Sequence, residues 1–205
     1  INDISVWLNI EFVGDQRSNP LYAVPTSKLY IDNEPVTKIT IPGTVKKINP
    51  FAFWGYKSLT SVIIQEGVEM ISYNAFTECS NLISVTISEG VSMSGGAIFA
   101  GCYSLENINL PSTMSVIPLM SFTDCTSLRS LTCSAVTPPT FTDSPDAPEY
   151  TKTLYGVPLN ECTLYVPAES ISDYSTATGW SEFTNILPID ENIVINDNTE
   201  EFQNA

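Results

Sequence analysis

The chain contains no histidine, and only eight lysines and arginines stand against 23 carboxylates in 205 residues. Without histidine it has no Ser-His-Asp or Cys-His catalytic pair, no imidazole metal site and no imidazole pH switch. Arginine is confined to Arg17 and Arg129 and the formal net charge is −15, so clustered bases that could hold nucleic-acid phosphates or an anionic membrane are missing. Charged residues make up 15% of the chain, well under the usual quarter, and serines and threonines fill the gap. Long hydrophobic runs are also lacking: no stretch of 18 apolar residues occurs, so no transmembrane segment is expected. The chain opens at Ile1 without Met, a basic n-region or an apolar h-region, and is expected to be a mature or trimmed chain from which any export signal has been removed. Five cysteines, Cys79, Cys102, Cys125, Cys133 and Cys162, are an odd number without the short paired spacing of a zinc site, which excludes a complete disulfide framework.

What is present is a repeat. Cys79, Cys102 and Cys125 lie 23 residues apart, and Leu59, Leu82, Leu105 and Leu128 keep the same step. So do Phe53, Phe76, Phe99 and Phe122, and Val45, Val68, Val91 and Met114. The pairs Ile39/Ile41, Val62/Ile64, Val85/Ile87, Ile108/Leu110 and Leu131/Cys133 recur at this period with apolar residues two apart, as a half-buried strand requires. Successive units are therefore 36–58, 59–81, 82–104 and 105–127, with a partial unit over 128–137. One such unit is too short to bury its own apolar side; stacked units cover one another. The expected fold is a β-rich solenoid of about 23-residue units, whose short parallel strands form one sheet face, with atypical capping segments at both ends.

This register places the cysteines as packing residues after an Ala-Phe pair, with Tyr56 in the same position of the first unit. A buried free Cys acts as a small hydrophobe, and no histidine is present to activate it. Ladder geometry could bring two neighbouring repeat cysteines within disulfide reach, leaving the third unpaired, and a Cys133–Cys162 link has only weak support in the sequence. In the third unit Ser94 falls where Ile48, Ile71 and Ile117 stand, beside Gly95 and Gly96. Either Ser94–Gly96 forms a contact loop, or Ile98, in the place of Ala75, fills the volume that Ser94 leaves.

The 23-residue unit, with Ile41-Pro42 and Leu110-Pro111 after the strand, the Val45/Ile48 and Val68/Ile71 steps and the Ala75-Phe76-x-x-Cys79 ending, resembles the BspA-like class of leucine-rich repeats. The run from Pro138 to Ile189, with Leu164-Tyr165-Val166-Pro167, Tyr174, Gly179-Trp180 and Phe183, is similar to the closing segment of such proteins, and Asn19–Asp32 resembles a shortened leading unit. The resemblance covers about residues 19–190. It implies a bacterial, secreted or cell-surface protein, some of whose relatives adhere to host proteins such as those of the extracellular matrix, and it implies no catalytic residue and no cofactor.

The ends are read as caps. Pro138 and Pro139 are expected to stop the repeat, 138–189 to close the core end, and a short helix after Pro167 to present Ile171, Tyr174 and Ala177 on one side. Tyr174, Trp180 and Phe183 are core in one reading and a sugar-stacking platform in the other. Residues 1–35 form an atypical N-terminal unit or a truncated upstream repeat, in which the alternation of Ile4, Val6, Leu8 and Ile10 predicts a strand. The acidic tail 190–205 is expected to be loosely ordered.

Side chains flanking the inward strand residues face outward, and they nominate a binding face: Ser61, Ile63, Gln65, Ser84, Thr86, Asn107, Asn109, Ser130 and Thr132. With the flanking Lys38 this surface has a single charge and no carboxylate, which suits neither a glycosidase pair nor a calcium site. A second candidate is the first-unit aromatic group Phe51, Trp54 and Tyr56, exposed as an interface hot spot or covered by the N-terminal segment with Trp7 and Tyr22. The expected function is a non-enzymatic, exported or cell-surface binding module for a protein partner; a glycan-binding module and a structural spacer are the alternatives. No metal ligand set is present.

Overall fold

The computed structural model describes residues 3–12, 16–23 and 27–190. Its frame is one parallel sheet built from β1 (Lys38–Ile41), β2 (Ser61–Ile64), β3 (Ser84–Ile87), β4 (Asn107–Leu110), β5 (Ser130–Cys133), β6 (Thr163–Val166) and β7 (Asn185–Pro188). Spatial order follows chain order, so each strand lies on the one before it. The register aligns Ile39, Val62, Val85, Ile108, Leu131, Leu164 and Ile186, the inward column of the repeat. The sheet thus runs past the repeats into the C-terminal segment, whose last strand the sequence reading missed because Pro188 breaks its apolar pattern.

A second row of short parallel strands, Lys47–Ile48, Met70–Ser72 and Ser92–Ser94, forms another side of the coil, and Val116–Ile117 pairs with Thr140–Phe141. Pro138 and Pro139 therefore do not end the coil; the second row continues for two residues beyond them. In the third unit the register pairs Ile71 with Met93, not with Ser94. The unit is one residue short up to Met93, which fills the core place, and recovers that residue before Ile98. Ser94 leaves no space for Ile98 to fill, because its side chain faces solvent.

The third side is made of turns that hydrogen-bond rung to rung. Phe53, Phe76, Phe99 and Phe122 donate their amides to the carbonyls of Ala75, Ile98, Ser121 and Thr153 at 2.8–3.1 Å. Their rings stack nearly parallel, with centroids 5.2, 5.4 and 6.1 Å apart, and each is fully buried. Burying such a side chain is worth about 1.5–3 kcal/mol. Each turn has two left-handed residues. Phe51, Asn74, Ala97 and Met120 occupy the first place, and Gly55, Glu78, Gly101 and Asp124 the second. The backbone conformation repeats at 23 residues even where residue type does not.

Beside the phenylalanines, Cys79, Cys102 and Cys125 donate their thiols to the carbonyls of Phe53, Phe76 and Phe99 at 3.0, 3.2 and 3.3 Å. All five cysteines are free and buried, which removes the Cys133–Cys162 link. Cys133 instead meets the Tyr174 hydroxyl at 3.2 Å.

Both ends close with the same two side-chain devices. At the N-terminal end α1 (Ile4–Leu8) buries Ile4, Trp7 and Leu8, a helical spacing, and leaves Val6 and Ile10 exposed. The predicted strand is thus a helix: Asp3 caps it by accepting from the Ser5 amide at 2.8 Å, and the periodicity that matters is the three-and-four step. Ala52 has no preceding unit to use its carbonyl, and the Trp7 indole N–H donates to it at 2.8 Å. Buried Asn19, one residue before α2 (Pro20–Ala23), donates to the Phe51 carbonyl at 2.6 Å. Tyr56, standing where later units have cysteine, reaches further and donates to the Val36 carbonyl at 2.6 Å. At the C-terminal end Trp180 donates to the Pro139 carbonyl at 2.7 Å, and Tyr174, on α3 (Ile171–Tyr174), donates to the Ala135 carbonyl at 2.8 Å. The tail beyond Asp190, and the expectation attached to it, lie outside the described residues.

Candidate interaction surface

The outer face of the sheet follows from the two-residue period of its strands: when Val62 and Ile64 point inward, Ser61 and Ile63 point outward. One outward column runs Lys38, Ser61, Ser84, Asn107, Ser130, Thr163 and Asn185, and the next runs Thr40, Ile63, Thr86, Asn109, Thr132, Tyr165 and Leu187. With strands about 4.8 Å apart, the columns extend about 29 Å. Gln65, just past β2, lies exposed at the margin. Of the nominated sheet residues only Thr132 is buried, between Asn109 and Tyr165 in its column; the others are half-buried or exposed.

The columns hold one charge, Lys38, and no carboxylate. Neighbouring polar groups bond along them: the Ser84 hydroxyl donates to the Ser61 hydroxyl at 3.0 Å, and the Asn185 amide donates to the Thr163 hydroxyl at 2.7 Å. Such ladders hold the side chains in fixed positions while leaving donors and acceptors open outward. Tyr165 and Leu187 add apolar area next to them, Leu187 with 41% of its surface exposed. Sequence reasoning nominated neither, because the strands that carry them lie in the cap, outside the 23-residue step.

The first-unit aromatics do not form an exposed cluster. Tyr56 is fully buried and its hydroxyl is engaged at Val36, and burial pushes its phenol upward in pKa. Phe51 is buried as well. Trp54 alone is half-buried, covered by Tyr22 in an edge contact at 5.7 Å and by Phe51 at 5.4 Å. Tyr56 and Phe51 are therefore core residues, because the first unit has no neighbour beneath it except the N-terminal segment. The sugar-stacking reading of Tyr174, Trp180 and Phe183 fails for the same reason: they are at most 4% exposed and close the other end.

The 23-residue coil with its phenylalanine and cysteine ladders has a match in sequence: the family profile described as BspA type leucine rich repeat region fits residues 27–140 in six copies. The chain belongs to that family. Two solved structures are similar to this BspA-type repeat protein. One is a leucine-rich cell surface protein from Faecalibacterium prausnitzii A2-165, at 18% identity and TM-score 0.42, covering 77% of this chain and 49% of that one. The other is a leucine-rich repeat protein from Bacteroides ovatus ATCC 8483, at 20% identity and TM-score 0.35, covering 75% of this chain and 51% of that one. The chain thus spans about half the length of either. No curated protein matches it.

Within the BspA-type framework, chemistry-bearing groups are dispersed or buried. Among the described residues no group of three or more cysteines and carboxylates could hold a metal ion. Burial pushes every thiol up in pKa, that of Cys162 to about 12, so none is a thiolate at neutral pH. Among the described residues no helix is long and apolar enough to cross a membrane. What the arrangement offers is a fixed, nearly neutral surface of hydroxyls, amides and a few apolar groups.

Proposed function

We propose that this protein is a non-enzymatic binding module, acting outside the cell or at its surface, that holds a polypeptide partner on the outer face of β1–β7. The observation that carries the reading is the continuity of that face: seven strands in register, two outward columns in which every residue but Thr132 is half-buried or exposed, and one charge in 14 positions of a chain whose net charge is −15. Interfaces are depleted in charge at their centre, and here carboxylates are kept out of the columns and placed elsewhere. Membership of the leucine-rich repeat family agrees with a protein partner, and the aliphatic side chains of Ile63 and Leu187 supply apolar area of the kind a protein interface buries.

The test is an array of extracellular-matrix proteins probed with the wild-type chain and with Thr86→Glu/Asn109→Glu. A saturable partner whose affinity falls at least tenfold in the double variant supports the reading. A partner bound equally by both, or binding only on a glycan array, contradicts it; silence in both screens favours the spacer reading.

A further inference from the structure

The backbone ladders of the coil end unequally at its N-terminal side. Along the turns it is carbonyls that point back from the first unit, and both are met by side chains: the Trp7 indole on Ala52 at 2.8 Å and the Asn19 amide on Phe51 at 2.6 Å. Along the second row it is amides that point back. Glu69 and Met70 donate to the Lys46 carbonyl at 2.9 and 3.3 Å, Ser92 donates to that of Glu69 at 2.9 Å, and Thr140 to that of Ser115 at 3.0 Å. Lys47 pairs with Met70 in register, so Lys46 and Lys47 are the matching residues of the first unit. Among the described residues neither of their amides meets an acceptor.

These two residues border a cavity of about 570 Å³ between α1 and the strand Lys47–Ile48, lined also by Leu8, Asn9, Glu11 and Val45. Its helical wall is held in place by Asn49, whose side-chain amide donates to the Leu8 and Ile10 carbonyls at 3.1 and 3.3 Å. Leu8 and Val45 are buried and form an apolar floor, while Asn9, Glu11 and Lys47 stand exposed around it. Two lysines face one carboxylate, Glu11, in a chain whose net charge is −15. The Lys46 ammonium is turned toward the second unit, donating to the Gly67 carbonyl at 3.1 Å with Glu69 at 3.5 Å. That of Lys47 has no partner among the described residues.

Adjacent unpaired amides beside a free ammonium select an acceptor that carries negative charge, because charge-assisted hydrogen bonds are about twice as strong as neutral ones. A lone anion would leave the apolar floor bare and most of the volume empty, and cavities of about 300–1,000 Å³ hold larger molecules. We propose that this cavity binds the terminal carboxylate of a polypeptide chain. The carboxylate lies on the Lys46 and Lys47 amides and the Lys47 ammonium, and a small apolar last side chain rests on Leu8 and Val45. Backbone amides are a recurrent means of capturing a chain terminus. Here the captured group completes a ladder that the protein's own side chains complete only on the turn side. The site shares no residue with the outer face of the sheet.

The test is a nitrogen-edited NMR titration of the whole chain, reading the Lys46 and Lys47 amide resonances, with acetyl-trialanine, its C-terminal amide and acetate as probes. Saturable shifts of both resonances are expected with the acid, and about tenfold weaker binding of the amide and of acetate. Lys47→Gln, at an exposed strand position, should weaken the acid about threefold. No saturable shift at tens of millimolar acid overturns the proposal, and so does equal binding of the acid and its amide. Acetate bound as tightly as the acid would reduce the cavity to a general anion site, and unchanged affinity in Lys47→Gln would remove the ammonium from it; either result contradicts the assignment.

Discussion

At the scale of single residues, burial governs the chemistry of the thiols. Cys79, Cys102 and Cys125 are fully buried and bonded to carbonyls of the preceding unit, and their pKa is raised by burial first of all. An Ellman assay in neutral buffer is expected to titrate fewer than one thiol per chain, and all five in urea; rapid native reaction of the ladder would contradict the packing. A raised folded pKa stabilises the fold below the unfolded value near 9, and this contribution is lost as pH climbs through the folded value, about 12 for Cys162. With no histidine, urea midpoints should stay level from about pH 6 to 8 and fall above about pH 9. A Cys102→Ala variant should show a shallower alkaline fall. The inward place of the cysteines could be read from their 23-residue step. The identity of their acceptors could not, because each partner is a backbone carbonyl one unit away and no side chain marks it.

Among the elements, the turns show how far residue type under-reports conformation. Glu78 and Asp124 stand where Gly55 and Gly101 stand, all with left-handed backbone. An L-residue there costs about 1–2 kcal/mol, so Glu78→Gly should raise stability by up to about 1 kcal/mol, although glycine usually destabilises. Gly101→Ala should lower it by about 1 kcal/mol. Chemical denaturation checks both, and a loss in Glu78→Gly would refute the argument. By contrast, Phe99→Ala in the ring stack should cost about 3–5 kcal/mol. Regular repeats were legible because every unit repeats the same burial. The third unit misled at Ser94 because a one-residue shortening before Met93 is offset before Ile98, so the period on either side is unbroken. The N-terminal helix was misread because Ile4, Val6, Leu8 and Ile10 alternate, while Ile4, Trp7 and Leu8, which are the residues buried, follow the helical step.

For the whole molecule, the acidic balance and the neutral sheet face belong together. Five of the eight bases lie between residues 28 and 57, and the carboxylates gather elsewhere, outside the two columns. Net charge of this size keeps copies apart in solution, while the sheet face is left to short-range contacts that salt screens little. The sheet columns of the repeats were legible from strand period alone, whereas Tyr165 and Leu187 were not, since the strands that carry them lie in the cap and follow no 23-residue step. Thr86 and Asn109 are half-buried neighbours in register, so two glutamates there repel each other and cost up to about 1 kcal/mol, a loss that the urea midpoint reads separately from loss of binding. The most direct measurement is therefore the affinity of Thr86→Glu/Asn109→Glu, relative to the wild-type chain, for the matrix protein that binds it best, with urea midpoints recorded for both. The prediction is an affinity at least tenfold weaker in a chain that stays folded, with at most about 1 kcal/mol lost in stability; equal affinity would show that the sheet face is not the recognition surface.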